Sequence, residues 1–297
     1  MRVDRPLAAF FAGAFAIAYG SAWALAGIAQ GSGFESWREL NDLAEVWGLA
    51  PFADQLVVPP ALVYGLSRAA DFAFSIAGVV AIAATAGASG LRELGARLLR
   101  FRVGWGGYAF ALGLPVALYA LAAGLTALGE PAIAASATAS PALVWTLLLS
   151  PHAGLLFYAL FRGGMGEELG LRGFALPRLL ERHPPLRASL WLGLFWGLWH
   201  VPVLVGRPAL AITAFLLATF AYSVIFTWLF LRTRGSLVPV LLLHAANNSL
   251  DDAFEAVFPA LADVSWELPF VVGLLAAGIA MAIVLRRAPA AAPPPPE

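Results

Sequence analysis

Long uncharged runs, separated by short loops that carry arginine, set the pattern of this chain. Apolar residues fill roughly 6–29, 69–89, 105–128, 142–163, 188–206, 209–231, 237–258 and 268–285. A helix needs about 20 such residues to cross the hydrocarbon core of a bilayer. Each run therefore predicts a transmembrane helix, eight in all. Unbroken runs of this length are not the short alternating segments of a membrane β-barrel. The first run begins like a signal peptide but is too long for one, so it is counted as the first span.

The polar positions between the spans predict further pieces. Residues 30–56 form an acidic connection. Residues 57–68 are apolar but contain a Pro-Pro step, which suggests an interfacial or re-entrant segment. Residues 91–104 put Leu91, Leu94, Leu98 and Leu99 opposite a set of arginines, the pattern of an amphipathic surface helix. The tail 288–297 is rich in proline and alanine and is expected to be disordered. The chain then divides into N-terminal helices (1–139), a core (140–258), a last span (259–287) and the tail (288–297).

Composition agrees with this pattern. Of 297 residues, 61% are hydrophobic and 12% charged, against about a quarter charged in a soluble domain. Mean hydropathy is +0.81. The fold class expected is therefore an all-α polytopic membrane protein. There is no cysteine, which excludes disulfides and thiolate metal sites. The formal net charge is zero, and no nucleic-acid partner is expected.

The distribution of charge adds an orientation. All 18 basic residues are arginine, a bias that suggests a GC-rich bacterial genome. With eight spans, 15 arginines fall on one side, and only Arg38, Arg68 and Arg207 on the other. Basic residues favour cytoplasmic loops. Both termini are thus expected in the cytoplasm, with the chain in a bacterial inner membrane.

Three places put polar chemistry inside or beside these spans. "GMGEELGLRG" (Gly164–Gly173) follows span four and carries Glu167 and Glu168. Glu168 and Arg172 are spaced i,i+4 and can pair. Glu167 is rotated about 100° from Glu168, so the two acids are not expected to serve one partner. Taken alone, the stretch is a solvated helix end near the cytoplasmic boundary. Gly163, Gly164 and Gly166 just before the acids allow a neighbouring helix to come close. His200 lies in span five, one turn after Trp196. In span seven His244 and Asn248 share a face, which Asp251 continues and Asn247 and Asp252 flank. Ionisable groups inside spans point by default to a functional site. The site is therefore expected in helices 4, 5 and 7.

A carboxylate and an imidazole can activate water. A second imidazole and a carboxamide can donate hydrogen bonds to an oxyanion. The same groups suit a divalent metal such as zinc, through Glu167, His200 and His244, although no HExxH motif is present. Spacing alone does not choose between these chemistries. Nor does it exclude a proton- or ion-coupled transporter using Glu167, His200, His244 and Asp251, or an inert membrane scaffold.

At these residues the sequence resembles the CPBP family of CAAX proteases and bacteriocin-processing enzymes, also called the Abi family. Its motifs EExxxR, FxxxH and HxxxN/D match "EELGLR", "WGLWH" and "HAANN" in order, with Trp196 where the family usually has Phe. The resemblance covers about residues 140–255. It implies an intramembrane endopeptidase acting on a membrane-associated peptide or protein near the cytoplasmic face, by a metal-dependent or a metal-free glutamate mechanism. Glu167 would be the general base, aided by His200. His244 and Asn248 would stabilise the oxyanion, with Glu168 and Arg172 bracing the site.

Overall fold

The computed structural model describes residues 4–45, 48–129, 154–257 and 267–287. Its elements are helical: α1 (Arg5–Gly31), α2 (Trp37–Glu45), α3 (Pro60–Asp71), α4 (Ala73–Leu98), α5 (Trp105–Gly129), α6 (Leu155–Phe161), α7 (Gly163–Gly170), a π turn (Leu171–Ala175), α8 (Leu176–Leu180), α9 (Pro185–Trp199), α10 (Val201–Leu204), α11 (Ala209–Arg232), α12 (Val238–Val257) and α13 (Glu267–Arg287). No strand occurs among the described residues. The protein is an all-α polytopic membrane protein.

Five of these helices, α1, α4, α5, α11 and α13, are long and apolar enough to cross a membrane. Of the other three predicted spans, 142–163 lies largely outside the described residues. The span at 188–206 becomes the 15-residue α9 followed by the short α10. The span at 237–258 becomes the 20-residue α12, which carries the polar stripe. Glu130, His152, Asp263 and the 288–297 tail also lie outside the described residues.

Local chemistry explains most boundaries. Asp4 caps α1 by accepting from the Leu7 amide at 3.1 Å. Pro59 and Pro60 start α3, so the Pro-Pro step opens a helix packed against α1 and α2. α4 is two pieces: Gly87, at φ 57, turns the chain into a left-handed conformation that glycine adopts without strain. Beyond that turn Leu94 is buried, while Leu91 and Leu99 are exposed. The segment is helical as far as Leu98, but the four leucines do not share one buried face as predicted.

The largest departure from expectation concerns Glu167. The helix does not run on from span four. It breaks at Arg162, where φ is −134° and ψ −146°. A second helical stretch, α7 through α8, then leads from the interior of the bundle to the arginine-rich end. There Asp4 pairs with Arg182 at 3.3 Å and approaches Arg178 at 3.7 Å. Glu167 precedes Arg182 by 15 residues, about 22 Å at 1.5 Å per residue. Buried there, it is not a solvated helix end; Arg162 sits at the opposite end of this stretch from Arg178 and Arg182, and Arg172 is buried between them.

α7 can occupy the centre because it is nearly bare of side chain where it crosses α4. A Cβ on Gly170 would overlap the Phe74 carbonyl oxygen, and one on Gly78 would stand 2.6 Å from the Gly170 Cα. The Ser75 hydroxyl donates to the Met165 carbonyl at 2.6 Å across the same crossing. Small residues permit such approach between helices in lipid. Gly170→Ala is therefore expected to lower the thermal midpoint in detergent by several degrees or to abolish accumulation of folded protein. Gly113→Ala, with open space around the added methyl, should leave the midpoint unchanged or raise it slightly. Equal midpoints for the two variants in a fluorescence melting experiment would contradict this packing.

Candidate active site

The two acids of α7 and the polar stripe of α12 meet in the bundle interior. Glu168 and Arg172 are fully buried, and Glu167, Trp196 and His244 nearly so. Arg172 Nη1 donates to both Glu168 oxygens, at 2.8 and 3.1 Å. Glu168 Oε1 also lies 2.8 Å from His244 Nδ1. The guanidinium is flanked by the Trp196 and Phe226 rings, 4.8 and 4.5 Å from their centroids. These cation–π contacts face Arg172 nitrogens that have no hydrogen-bond partner.

Glu167 lies on the other side of the same imidazole, with Oε1 3.8 Å from His244 Nε2. The expectation that adjacent acids could not serve one partner is thus corrected. A rotation of about 100° places them at opposite ring edges, so one histidine takes both. Trp196 fixes the second oxygen of Glu167: its indole N–H donates to Oε2 at 2.5 Å. A phenylalanine at this position would have no hydrogen to give.

His200 and Asn248 complete the group. His200 ends α9 instead of lying within a span. Its Nδ1 is 2.9 Å from the Trp196 carbonyl. A carbonyl only accepts, so Nδ1 carries the proton and Nε2 is left as acceptor. Asn248 Oδ1 accepts from Asn247 Nδ2 at 3.3 Å, while Asn247 Oδ1 is taken by the Tyr222 hydroxyl. This chain of contacts leaves the Asn248 NH2 directed at Gly163. A Cβ at Gly163 would stand 2.8 Å from that nitrogen and collide with His244 Nε2. The glycines were expected to admit a helix; Gly163 admits two site side chains.

A cavity of about 270 Å³ joins these residues. Glu167, His200, Asn248 and Gly163 line it, together with Arg162, Asp71 and Trp199. Asn41 and Trp37 of α2 form part of its far wall. Sequence reasoning missed these last five residues: Trp199 sits inside the WGLWH stretch but was not singled out, and Arg162, Asp71, Trp37 and Asn41 lie outside the motifs. The only signal was Arg162 directly after an apolar run. Asp251, predicted on the His244 face, instead accepts from the Tyr119 hydroxyl of α5 at 2.9 Å and does not line the cavity. His183 lies in the loop before α9, where burial and the charges of Arg187 and Arg182 hold its pKa below the ordinary histidine value.

Among the described residues no three His, Asp or Glu groups converge as ligands. The predicted set of Glu167, His200 and His244 is not gathered as such a group in this arrangement.

Residues 149–250, which contain all of these groups except the far cavity wall, match the family model described as Rce1-like, Type II CAAX prenyl endopeptidase. These residues, about a third of the chain, are similar to that family. A CAAX prenyl protease 2 from Methanococcus maripaludis is 30% identical over 92 residues, which cover 28% of this chain. The match spans about a third of that relative's length, 34%. The segment similar to that family thus coincides with the buried site, while the α1–α3 wall of the cavity lies outside it.

Removing one member of a buried ion pair typically costs about 3–5 kcal/mol. Arg172→Ala should therefore destabilise the fold strongly, whereas Arg172→Met, which keeps the stem between Trp196 and Phe226, combined with Glu168→Gln should recover part of the loss. Thermal melts of the single and double variants in detergent measure this. Additive losses would show that the pair is not coupled.

Proposed function

We propose that the protein is an intramembrane endopeptidase that hydrolyses a peptide bond of a membrane-associated peptide or protein. The observation that carries this reading is the shared cavity: Glu167, His200 and Asn248 line it, and His244 Nε2 lies 3.8 Å from Glu167. The family match over 149–250 supports the same reaction class.

In this mechanism Glu167 takes a proton from water as the water oxygen attacks the scissile carbonyl carbon. His200 holds the same water through Nε2. The C=O bond opens to an oxyanion, which accepts hydrogen bonds from Asn248 Nδ2 and from His244 Nε2. With Nδ1 committed to Glu168, donation from Nε2 uses the imidazolium form, whose charge is flanked by the two carboxylates. Protonated Glu167 then gives its proton to the leaving nitrogen as the C–N bond breaks. Trp196 keeps Glu167 Oε2 occupied, so Oε1 faces the water. No step is routed through a metal. The arginine-rich end, with both termini, lies in the cytoplasm of a bacterial cell in this reading.

A positioned general base contributes about 10²–10⁴-fold, and one oxyanion donor about 10²–10³-fold. Glu167→Gln and His244→Ala should abolish detectable cleavage of a bound peptide, and Asn248→Ala should slow it by about 10²-fold, with all three proteins still inserted and folded. Cleavage by Glu167→Gln at the wild-type rate would sink the assignment.

Treatment with a strong chelator followed by gel filtration is expected to leave cleavage at its starting rate. Loss of activity that zinc alone restores would show instead that a metal completes the site.

A further inference from the structure

The arginine-rich end and the part of the cavity wall formed by α2 lie at opposite ends of the bundle. At the first, chain segments are tied together by Arg97, Arg100, Arg102, Arg178, Arg182 and Arg234. Arg100 donates to the Arg234 carbonyl, and Arg234 to that of Arg102 at 3.3 Å. The Leu237 amide donates to the Arg97 carbonyl at 3.1 Å, while Asp4 holds Arg178 and Arg182. α1, α9 and α12, which all reach the cavity, start here, so depth can be counted along each of them. Ala22, on the cavity wall, is 17 residues beyond Arg5, about 25 Å along α1. Asn248 is 10 residues into α12, and Trp199 is 14 residues into α9, about 15 and 21 Å.

The wall then continues beyond the end of α1. Trp37 and Asn41 line it from α2. Arg38 clamps α2 to the segment that follows His200, donating to the Val205 carbonyl at 2.6 Å and the Pro202 carbonyl at 3.3 Å. On the opposite side Arg68 pairs with Asp71 at 3.0 Å and donates to the Phe161 carbonyl at 3.1 Å, beside the break at Arg162. The polar rim of the cavity, with Asn41, Asp71 and Arg162, thus belongs to the arginine-poor end.

Arginine-rich ends face the cytoplasm. We infer that the site is entered from the non-cytoplasmic face, and that its substrate is a polypeptide segment exposed there, such as the exported part of a membrane-anchored protein. This rests on the peptidase reading for the word substrate, but not for the direction of entry. It also replaces the expectation of cleavage near the cytoplasmic face.

The natural absence of cysteine makes the test clean. Asn41→Cys and Ala70→Cys each put one thiol on the cavity wall. Leu99→Cys puts one at the arginine-rich end, where Leu99 is 72% exposed. A membrane-impermeant maleimide should label the two cavity thiols at least tenfold faster in intact spheroplasts than in inverted vesicles. Leu99→Cys should show the reverse order. Cavity thiols labelled only in inverted vesicles, or blocked from both sides, would overturn the inference. Glu167→Gln in each background should leave labelling unchanged. Outward labelling of a protein that cleaves nothing would leave the entry route standing and remove the peptidase reading.

Discussion

A fully buried arginine organises this protein. Arg172 has no exposed surface, and a lone guanidinium could not remain in the bundle interior at acceptable cost. It is held by both oxygens of Glu168 and sandwiched between Trp196 and Phe226. Each partner comes from a different place: Glu168 from α7, Trp196 from α9 and Phe226 from α11. Satisfying one charge therefore fixes three elements relative to each other. Glu168 passes the constraint to α12 through His244 Nδ1, so the register of all four elements follows from one ion pair.

That constraint decides which groups are left for chemistry. Glu168 is spent on Arg172 and His244. Glu167, one residue earlier, inherits the opposite edge of the same imidazole and opens onto the cavity. Trp196 is shared in the same way, its ring over Arg172 and its N–H on Glu167. The buried ion pair and the Glu167 carboxylate that lines the cavity are thus held by the same two side chains, Trp196 and His244, which explains why Glu167 and Glu168 can sit side by side in the sequence.

Much of this was legible in the sequence, for physical reasons. Long apolar runs have one stable solution in lipid, so the helices and the membrane class followed directly. The i,i+4 pairs Glu168–Arg172 and His244–Asn248 needed only helix geometry. What was not legible depends on where helices stop. The break at Arg162 follows a smooth apolar run into glycines and leaves no proline as a marker. Missing it kept Glu167 at the membrane boundary and Arg162 on the wrong side. The link from Glu168 to His244 spans 76 positions and has no local signature. The same holds for the α2 wall, whose approach to the segment after His200 is set by Arg38 and backbone carbonyls.

The position of Gly163 joins these levels. A helix break beside a reactive site costs backbone hydrogen bonds, and a side chain at that point would restore some local order. Any Cβ there, however, would strike His244 Nε2 and crowd Asn248. The break and the bare residue therefore serve one end. The chain leaves helical geometry at Arg162 and resumes it at Gly163, so that α7 starts beside the cavity with no side chain in it. Glu167 follows one turn later, at the depth of the histidine and not at the membrane surface.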